Sequence, residues 1–457
     1  MIDQAVKRWC EVTSIRHKKS LGLVLHTSCV NYDLGRLQAL AKLPIRWILP
    51  EDVWWELRLL QRSRIYGKQA ALILERAGRA SSRAWHLEQF YIACKSPITP
   101  EDVFPGPLLF AFGDLNKLDE FLVHVIPMKG HYVLLNSGWN CGKDHAVVYP
   151  IEKARGLNIR KVRPLPGSMA VSPLAALETI ECPGTGQRLK GSDFRFTGKN
   201  GSNARIYTCG AFPGDYVKIY TQRTMVGAGA KKLEKLTTLR KLMGNMPMAL
   251  PEKLLTVEED HVIGYTMMPC RGRPLREYIY NGWEGCDVKA VFRNLLLMLL
   301  ELHCMHILVN DLSYNNVLVG ENGSVSLVDC DSFQVFHFPG GPITQIYRHP
   351  DILEERCQDT LREPRHEYFA FAVLVFQCLF YGDPLQQVQR ADDDRELSWE
   401  LMQFPLDVGR RTARANTAIQ RLWDSQDEAV KTVFADEFHF RRDNSLGVWI
   451  KALGLLS

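Results

Sequence analysis

At 457 residues the chain is too long for one ordinary hydrophobic core, so two domains are expected. A composition of 46% apolar and 23% charged residues excludes a disordered or low-complexity protein. The net charge of +5 conceals an asymmetry, because residues 1–165 hold 24 Lys and Arg against 15 Asp and Glu, a surplus of 9, and residues 166–457 hold 32 against 36, a deficit of 4.

A basic first part is open to nucleic acid or to an acidic partner, and equally to charges dispersed over a solvated surface. The opening MIDQAVKRWCEVTS has no apolar run behind its basic residues, which argues against secretion. The longest apolar stretch, Tyr368 to Tyr381, is shorter than the roughly 20 residues of a membrane span and contains Gln377. It reads as a buried core helix. The twelve cysteines form no CxxC pair and no Cys/His cluster, so neither a zinc site nor a disulfide framework is indicated. A reducing cytoplasmic setting without a membrane is the expectation.

In chain order, LGLVLHTSCVNYDLGRL (21–37) reads as a buried strand running into a helix. LPIRWILPEDVWWELRLLQRS (43–63) repeats the pattern as strand, proline turn and amphipathic helix, and the segment 131–164 continues it. Strands alternating with helices predict a small α/β domain on a parallel sheet. The order resembles PIN-like nuclease domains, in which carboxylates at strand ends and on the first helices gather magnesium or manganese. By that resemblance Glu56 is the helix carboxylate, but His26 stands where the first acid is usual, and Asn136 and Gly138, with Asp144 nearby, occupy the later acidic region. Asp33, Asp102, Asp114 and Asp119 are acids without an assigned place. The resemblance therefore implies a degenerate module over 1–167 that binds nucleic acid or serves as an adaptor, with residual nuclease activity as a rival.

Residues 163–187, with four prolines and three glycines, punctuate the boundary, which is drawn near 168. Alternation in Phe194–Thr197 and Ala204–Thr208 predicts a hairpin in which Gly198 and Gly201 admit phosphates near the backbone, although an ordinary Asn-Gly turn looks the same. The strand YVKIY places Lys218 near that turn, and the leucine spacing in 231–246 predicts a helix bearing Glu234, a carboxylate able to hold the lysine. From Cys286 to Leu308 the chain is apolar nearly all round and predicts a buried helix. The loop after it delivers Asp311 and Asn316, one suited to accept a proton and the other to offer an oxygen to magnesium. Two short strands, 316–319 and 324–328, then present Asp329.

The glycine-rich turn, Lys218, Glu234, Asp311, Asn316 and Asp329, in that order, resemble the protein-kinase signature set. IYRHPDIL (346–353) resembles the close of an activation loop, and 366–385 resembles the central helix of a C-lobe. VDCDSFQV and HEYFAFAVLVFQCLF resemble a bacterial group of kinase-like proteins associated with a metal-dependent phosphatase and a von Willebrand A-type partner. The resemblance implies a bilobal α+β domain over 168–457, with an N-lobe at about 185–268 and a C-lobe at about 271–457. It implies ATP and Mg²⁺ as cofactors and a protein substrate. Lys218 would meet the phosphates, Glu234 orient it, Asp311 act as base, Asn316 and Asp329 hold metal, and Met267, Met268 and Cys270 face the adenine. Departures are Val309-Asn310 for the usual His-Arg, Ser313 for a lysine, Cys330-Asp331 for Phe-Gly and Glu367 for an aspartate. With no arginine to read an activation-loop phosphate, constitutive Ser/Thr-type kinase activity is implied, and an ATP-binding pseudokinase scaffold is the alternative.

Overall fold

The structure, a computed structural model, describes residues 22–43, 45–77, 108–112, 121–128, 131–136, 146–149, 174–201, 203–221, 225–244, 246–257, 261–283, 285–336, 338–350, 352, 361–382, 384, 386–387, 402–404, 406, 417–440 and 442–456. Its class is mixed α+β, in several units. The boundary expected near 168 lies outside these residues.

The first unit runs β1 (Gly22–Leu25), α1 (Leu34–Ala41), β2 (Arg46–Ile48), α2 (Glu51–Leu60), α3 (Gly67–Ala77), β3 (Leu108–Phe112), β4 (Phe121–Met128), β5 (His131–Asn136) and β6 (Ala146–Tyr149). The sheet order is β2-β1-β3-β4-β5-β6. Only β2, β1 and β3 are parallel, and β3 through β6 are an antiparallel meander. The fully parallel sheet expected from sequence is corrected here. Connections as short as that between Met128 and His131 permit a hairpin, whereas a parallel crossover needs a dozen residues or more.

A seven-stranded antiparallel sheet follows: β7 (Ile180–Cys182), β8 (Gln187–Leu189), β9 (Phe194–Asn200), β10 (Ala204–Cys209), β11 (Tyr216–Tyr220), β12 (Lys253–Val257) and β13 (His261–Met267), in the order β8-β7-β12-β13-β11-β10-β9. Helix α4 (Ala228–Met243) interrupts it and packs Leu233, Leu236, Leu239 and Met243 inward. One face of the sheet closes a small core of Ile180, Phe194, Phe212, Val217, Leu255 and Ile263.

The helical remainder begins with β14 (Arg273–Pro274), α5 (Leu275–Asn281) and α6 (Val288–Cys304), continues through the short strands β15 (Ile307–Leu308), β16 (Val317–Val319), β17 (Val325–Leu327) and β18 (Gln334–Val335), and ends with α7 (Pro364–Phe380), α8 (Thr417–Asp424), α9 (Glu428–Phe434) and α10 (Leu446–Ala452). Helix α7 is apolar all round because every face meets protein: Phe369, Phe371, Phe376 and Phe380 are at most 1% exposed. Burying each contributes roughly 1.5–3 kcal/mol. Among the described residues no helix is long and apolar enough to cross a membrane.

The first unit and the helical remainder share one continuous core. Helix α10 lies against α2 so closely that a Cβ on Gly447 would fall 2.1 Å from the Asp52 carbonyl oxygen. At that crossing the Gly447 N–H donates to Glu56 Oε1 at 3.2 Å, and the Thr27 hydroxyl donates to Glu56 Oε2. Ser63 donates to Glu301 Oε1 at 2.6 Å, Asn31 Nδ2 to the Cys304 carbonyl at 2.5 Å, and Lys451 pairs with Glu51 at 2.5 Å.

Gly447→Ala should therefore cost about 1–3 kcal/mol through overpacking against backbone, read as a lowered midpoint in urea. Glu56→Ala, which strands a buried N–H and a hydroxyl, should cost a similar 1–3 kcal/mol. Unchanged stability in both variants would show that this crossing does not hold the units together.

Candidate active site

Lys218 stands in the middle of β11, opposite Tyr265 of β13 and Ile206 of β10. Its neighbours Val217 and Ile219 turn into the small core, so strand alternation sends the lysine to the other face, toward the helical remainder. There Nζ donates to Asp329 Oδ1 and, at 2.5 Å, to Asp331 Oδ1. Asp331 is also the acceptor for Tyr220 on Oδ2 and Tyr265 on Oδ1, each at 2.9 Å. The two carboxylates differ in setting, since the side chain of Asp329 is 46% exposed and that of Asp331 only 11%.

Burial alone would lower the Lys218 pKa, but Asp331 and Asp329 overcome it and raise it above the ordinary lysine value. Burial likewise works against the Asp331 carboxylate. The Lys218 charge, with hydrogen bonds from Tyr265 and Tyr220, holds its pKa below the usual range. Burial and the charge of Asp331 push Asp329 upward, against the pull of Lys218.

Asp311 follows β15 in a loop fixed from three directions. Asn316 Nδ2 donates to Asp311 Oδ2 at 2.8 Å and to its carbonyl at 2.9 Å, and the Thr344 N–H donates to Oδ1 at 2.8 Å. From α7, Glu367 accepts from the Asn310 N–H at 3.1 Å and meets His303 Nε2 at 2.7 Å, which sets the loop on the end of α6. Asn310 and Asp329 both have positive φ, 72° and 62°, the kind of local backbone strain that collects at functional sites. Asp311 lies close enough to Asp329 to raise its pKa. Lys218, Asp311, Asn316 and Asp329 therefore converge from three separate segments.

Glu234 does not join them. It is exposed on α4, and its backbone carbonyl serves Thr237 and Thr238. The α4 residue that faces inward is Lys232, buried and donating to the Pro339 carbonyl at 3.1 Å. The sequence carries a signal for this, because Lys232 is spaced i, i+4, i+7 with Leu236 and Leu239 and so shares their face, whereas Glu234 lies off it. The expectation that Glu234 orients Lys218 is thus corrected by helix phase. Asp331 was missed although it follows Asp329 by two residues, within the same turn (Cys330–Ser332).

The glycine-rich hairpin places Gly198 in β9 with φ 85°, at a register shift against β10. The Gly201 N–H is committed to the Ala204 carbonyl at 2.8 Å, so that amide closes the turn. Met267 ends β13 and is buried; in the segment that follows it and leads to the helices, Met268 is 38% exposed and Cys270 donates to the Leu327 carbonyl at 3.7 Å. Burial pushes the Cys270 thiol up to about 11. An open cavity of about 470 Å³ lies beside Asn315 of the Asp311 loop, lined by Arg276, Glu277 and Tyr280 of α5.

Magnesium takes hard oxygen donors and keeps waters and phosphates as co-ligands. With Asn316 Nδ2 and Asp329 Oδ1 engaged, Asn316 Oδ1 and Asp329 Oδ2 are the oxygens left to offer, which fits that ion. Among the described residues no group of three or more His, Cys, Asp or Glu is placed to hold a metal.

Among the described residues of the first unit, Glu56, His26 and Asp33 are each engaged by separate local partners. Glu56 is buried and engaged by Thr27 and Gly447, with the turn Thr27–Asn31 after β1 facing α6. His26 caps the turn after β1, its Nδ1 accepting from the Ser28 N–H at 3.2 Å. Asp33 caps α1 by accepting from the Arg36 N–H at 2.9 Å. Asn136 ends β5, and Asp102, Asp114, Asp119, Gly138 and Asp144 lie outside the described residues.

No protein-family model matches the chain, and no curated protein matches it.

Burial dominates at Lys232 and lowers its pKa from 10.5 to about 8. Because the folded value lies below the unfolded one, the cost of charging this lysine is fully present below pH 8 and is relieved as pH rises toward 10.5. Lys232→Met should thus raise the melting temperature relative to wild type at pH 7, with the gap narrowing between pH 8 and 10. A gap that stays constant over that range would mean that Lys232 is not buried in its charged form at neutral pH.

Proposed function

We propose that residues 168–457 act as an ATP- and magnesium-dependent phosphotransferase of the Ser/Thr protein-kinase type, docked to a degenerate PIN-like N-terminal module that supplies targeting. The observation that carries this reading is the convergence of a buried lysine, a loop carboxylate tied to an asparagine, and a second, half-exposed carboxylate. Phosphoryl transfer asks mainly for positioning and charge neutralisation, and those three parts supply them.

In this reading the Lys218 ammonium meets phosphate oxygens. Asn316 Oδ1 and Asp329 would hold a magnesium ion, which would supply positive charge against the phosphates. Asp311 accepts the proton of the attacking hydroxyl, its carboxylate aimed by Asn316 and the Thr344 amide. Met267 and Cys270, on the link between sheet and helices, line the adenine end. The segment 339–341 is tied down without a phosphate, through Lys232 to Pro339 and through Asn310 and Arg362 to the Gly341 carbonyl at 2.9 and 3.0 Å. That anchoring supports activity independent of loop phosphorylation.

A second reading is a nucleotide-sensing pseudokinase scaffold, favoured by the engagement of Lys218 with two carboxylates at once. Nucleic acid could then be bound by the basic residues of 1–167. A substrate protein, a cognate phosphatase or a von Willebrand A-type partner belongs to the first reading, as does a cytoplasmic setting.

Transfer of labelled γ-phosphate from Mg-ATP to the chain itself and to a generic protein acceptor separates the two. Wild type should transfer, and Asp329→Ala should not. Asp311→Ala should lose transfer by about 10²-fold or more while saturating nucleotide still stabilises it by a few kcal/mol. Stabilisation by Mg-ATP with no transfer in wild type selects the scaffold.

A further inference from the structure

We infer that Asp331 is the positioning residue for Lys218, acting with Tyr220 and Tyr265 as a buried clamp that takes the place of a carboxylate from helix α4. The inference deepens the phosphotransferase reading and rests on it for its catalytic consequence, though the clamp itself is a property of the chain without nucleotide.

Three donors converge on one carboxylate: Lys218 Nζ and the Tyr265 hydroxyl on Oδ1, and the Tyr220 hydroxyl on Oδ2. The tyrosines come from β11 and β13, two residues and one strand away from Lys218, and their rings meet edge to face at 6.3 Å. Tyr220, Tyr265 and Lys218 are 3%, 0% and 8% exposed, so the hydroxyls and the ammonium have exchanged water for Asp331. A carboxylate with both oxygens occupied in a dry setting is held in one orientation, and so is the lysine against it.

Asp329 is built differently. Its contact with Lys218 uses one oxygen, and its side chain is half-exposed. Of the two carboxylates on the ammonium, Asp329 is therefore the one able to turn to an incoming cation, and Asp331 the one that stays. Lysine has three N–H donors. When Asp329 leaves, Asp331 would retain Lys218 in place with one N–H, and the other two would be open to phosphate oxygens. Helix α4 offers no competing carboxylate, because its inward position is Lys232 and Glu234 is exposed.

The test is competitive acetylation of the full chain by acetic anhydride without nucleotide, with Lys218 quantified by mass spectrometry against Lys232 and Lys253. Asp331→Asn should raise Lys218 labelling at least about tenfold relative to Lys232. Tyr220→Phe, which keeps the ring in the core and removes one hydrogen bond, should raise it less, and Glu234→Gln should leave it unchanged. Unfolding would expose Lys232 in parallel, so the ratio separates release of the lysine from loss of structure. With Mg-ATP, Asp331→Asn should raise KM and lower kcat, whereas Glu234→Gln should alter neither. Wild-type labelling ratios in both Asp331→Asn and Tyr220→Phe, or release of Lys218 in Glu234→Gln, would overturn the inference. If the labelling pattern appears but wild type neither binds nor turns over Mg-ATP, the clamp stands and the phosphotransferase reading falls.

Discussion

An ammonium group removed from water is costly unless negative charge stands beside it, and the Lys218 side chain meets that condition with two carboxylates supplied by a different part of the chain. Sheet and helices are thereby joined at their most polar point. Tyr220 and Tyr265 finish the arrangement, so the face of the sheet turned toward the helices cannot slide without breaking several hydrogen bonds in a low-dielectric setting. The placing of Asp329 and of its neighbour Asp311 follows from this junction.

The loop that bears Asp311 is held by a second, independent device. Glu367, on the apolar helix α7, reaches the Asn310 amide and His303. A helix surrounded by aromatic rings thus sets the loop, and Asn316 and Thr344 fix its carboxylate. His303 and Cys304 end α6, and the Cys304 carbonyl accepts from Asn31 of the first unit. The first unit therefore rests on the same helix end that supports the Asp311 loop. The crossing of α2 and α10 at Gly447 shows why Glu56 serves docking: its two oxygens satisfy groups that burial would otherwise strand.

The Asp311–Asn316 pair was legible because both residues sit in one short loop, where spacing along the chain nearly fixes distance in space. Lys218 was legible for a similar reason, since alternation in YVKIY sends it to the face opposite Val217 and Ile219. Glu234 misled because a helix position has a direction only once the helix has a packed face. Leu233, Leu236 and Leu239 chose that face, and Lys232 came with them. Glu56 misled for a related reason, as its partner Gly447 stands nearly four hundred residues away.

By itself, then, the sequence indicated the strands at 194–197, 204–208 and 216–220, the helices near 231–246, 286–308 and 368–381, and the loop that carries Asp311 and Asn316. These are local consequences of side-chain periodicity and turn chemistry. Tertiary structure alone decided that Asp331 holds Lys218, that the first sheet turns antiparallel after β3, and that Glu56 joins two units. Each of those depends on which surfaces meet when apolar area is withdrawn from water, and distant segments declare that only by packing.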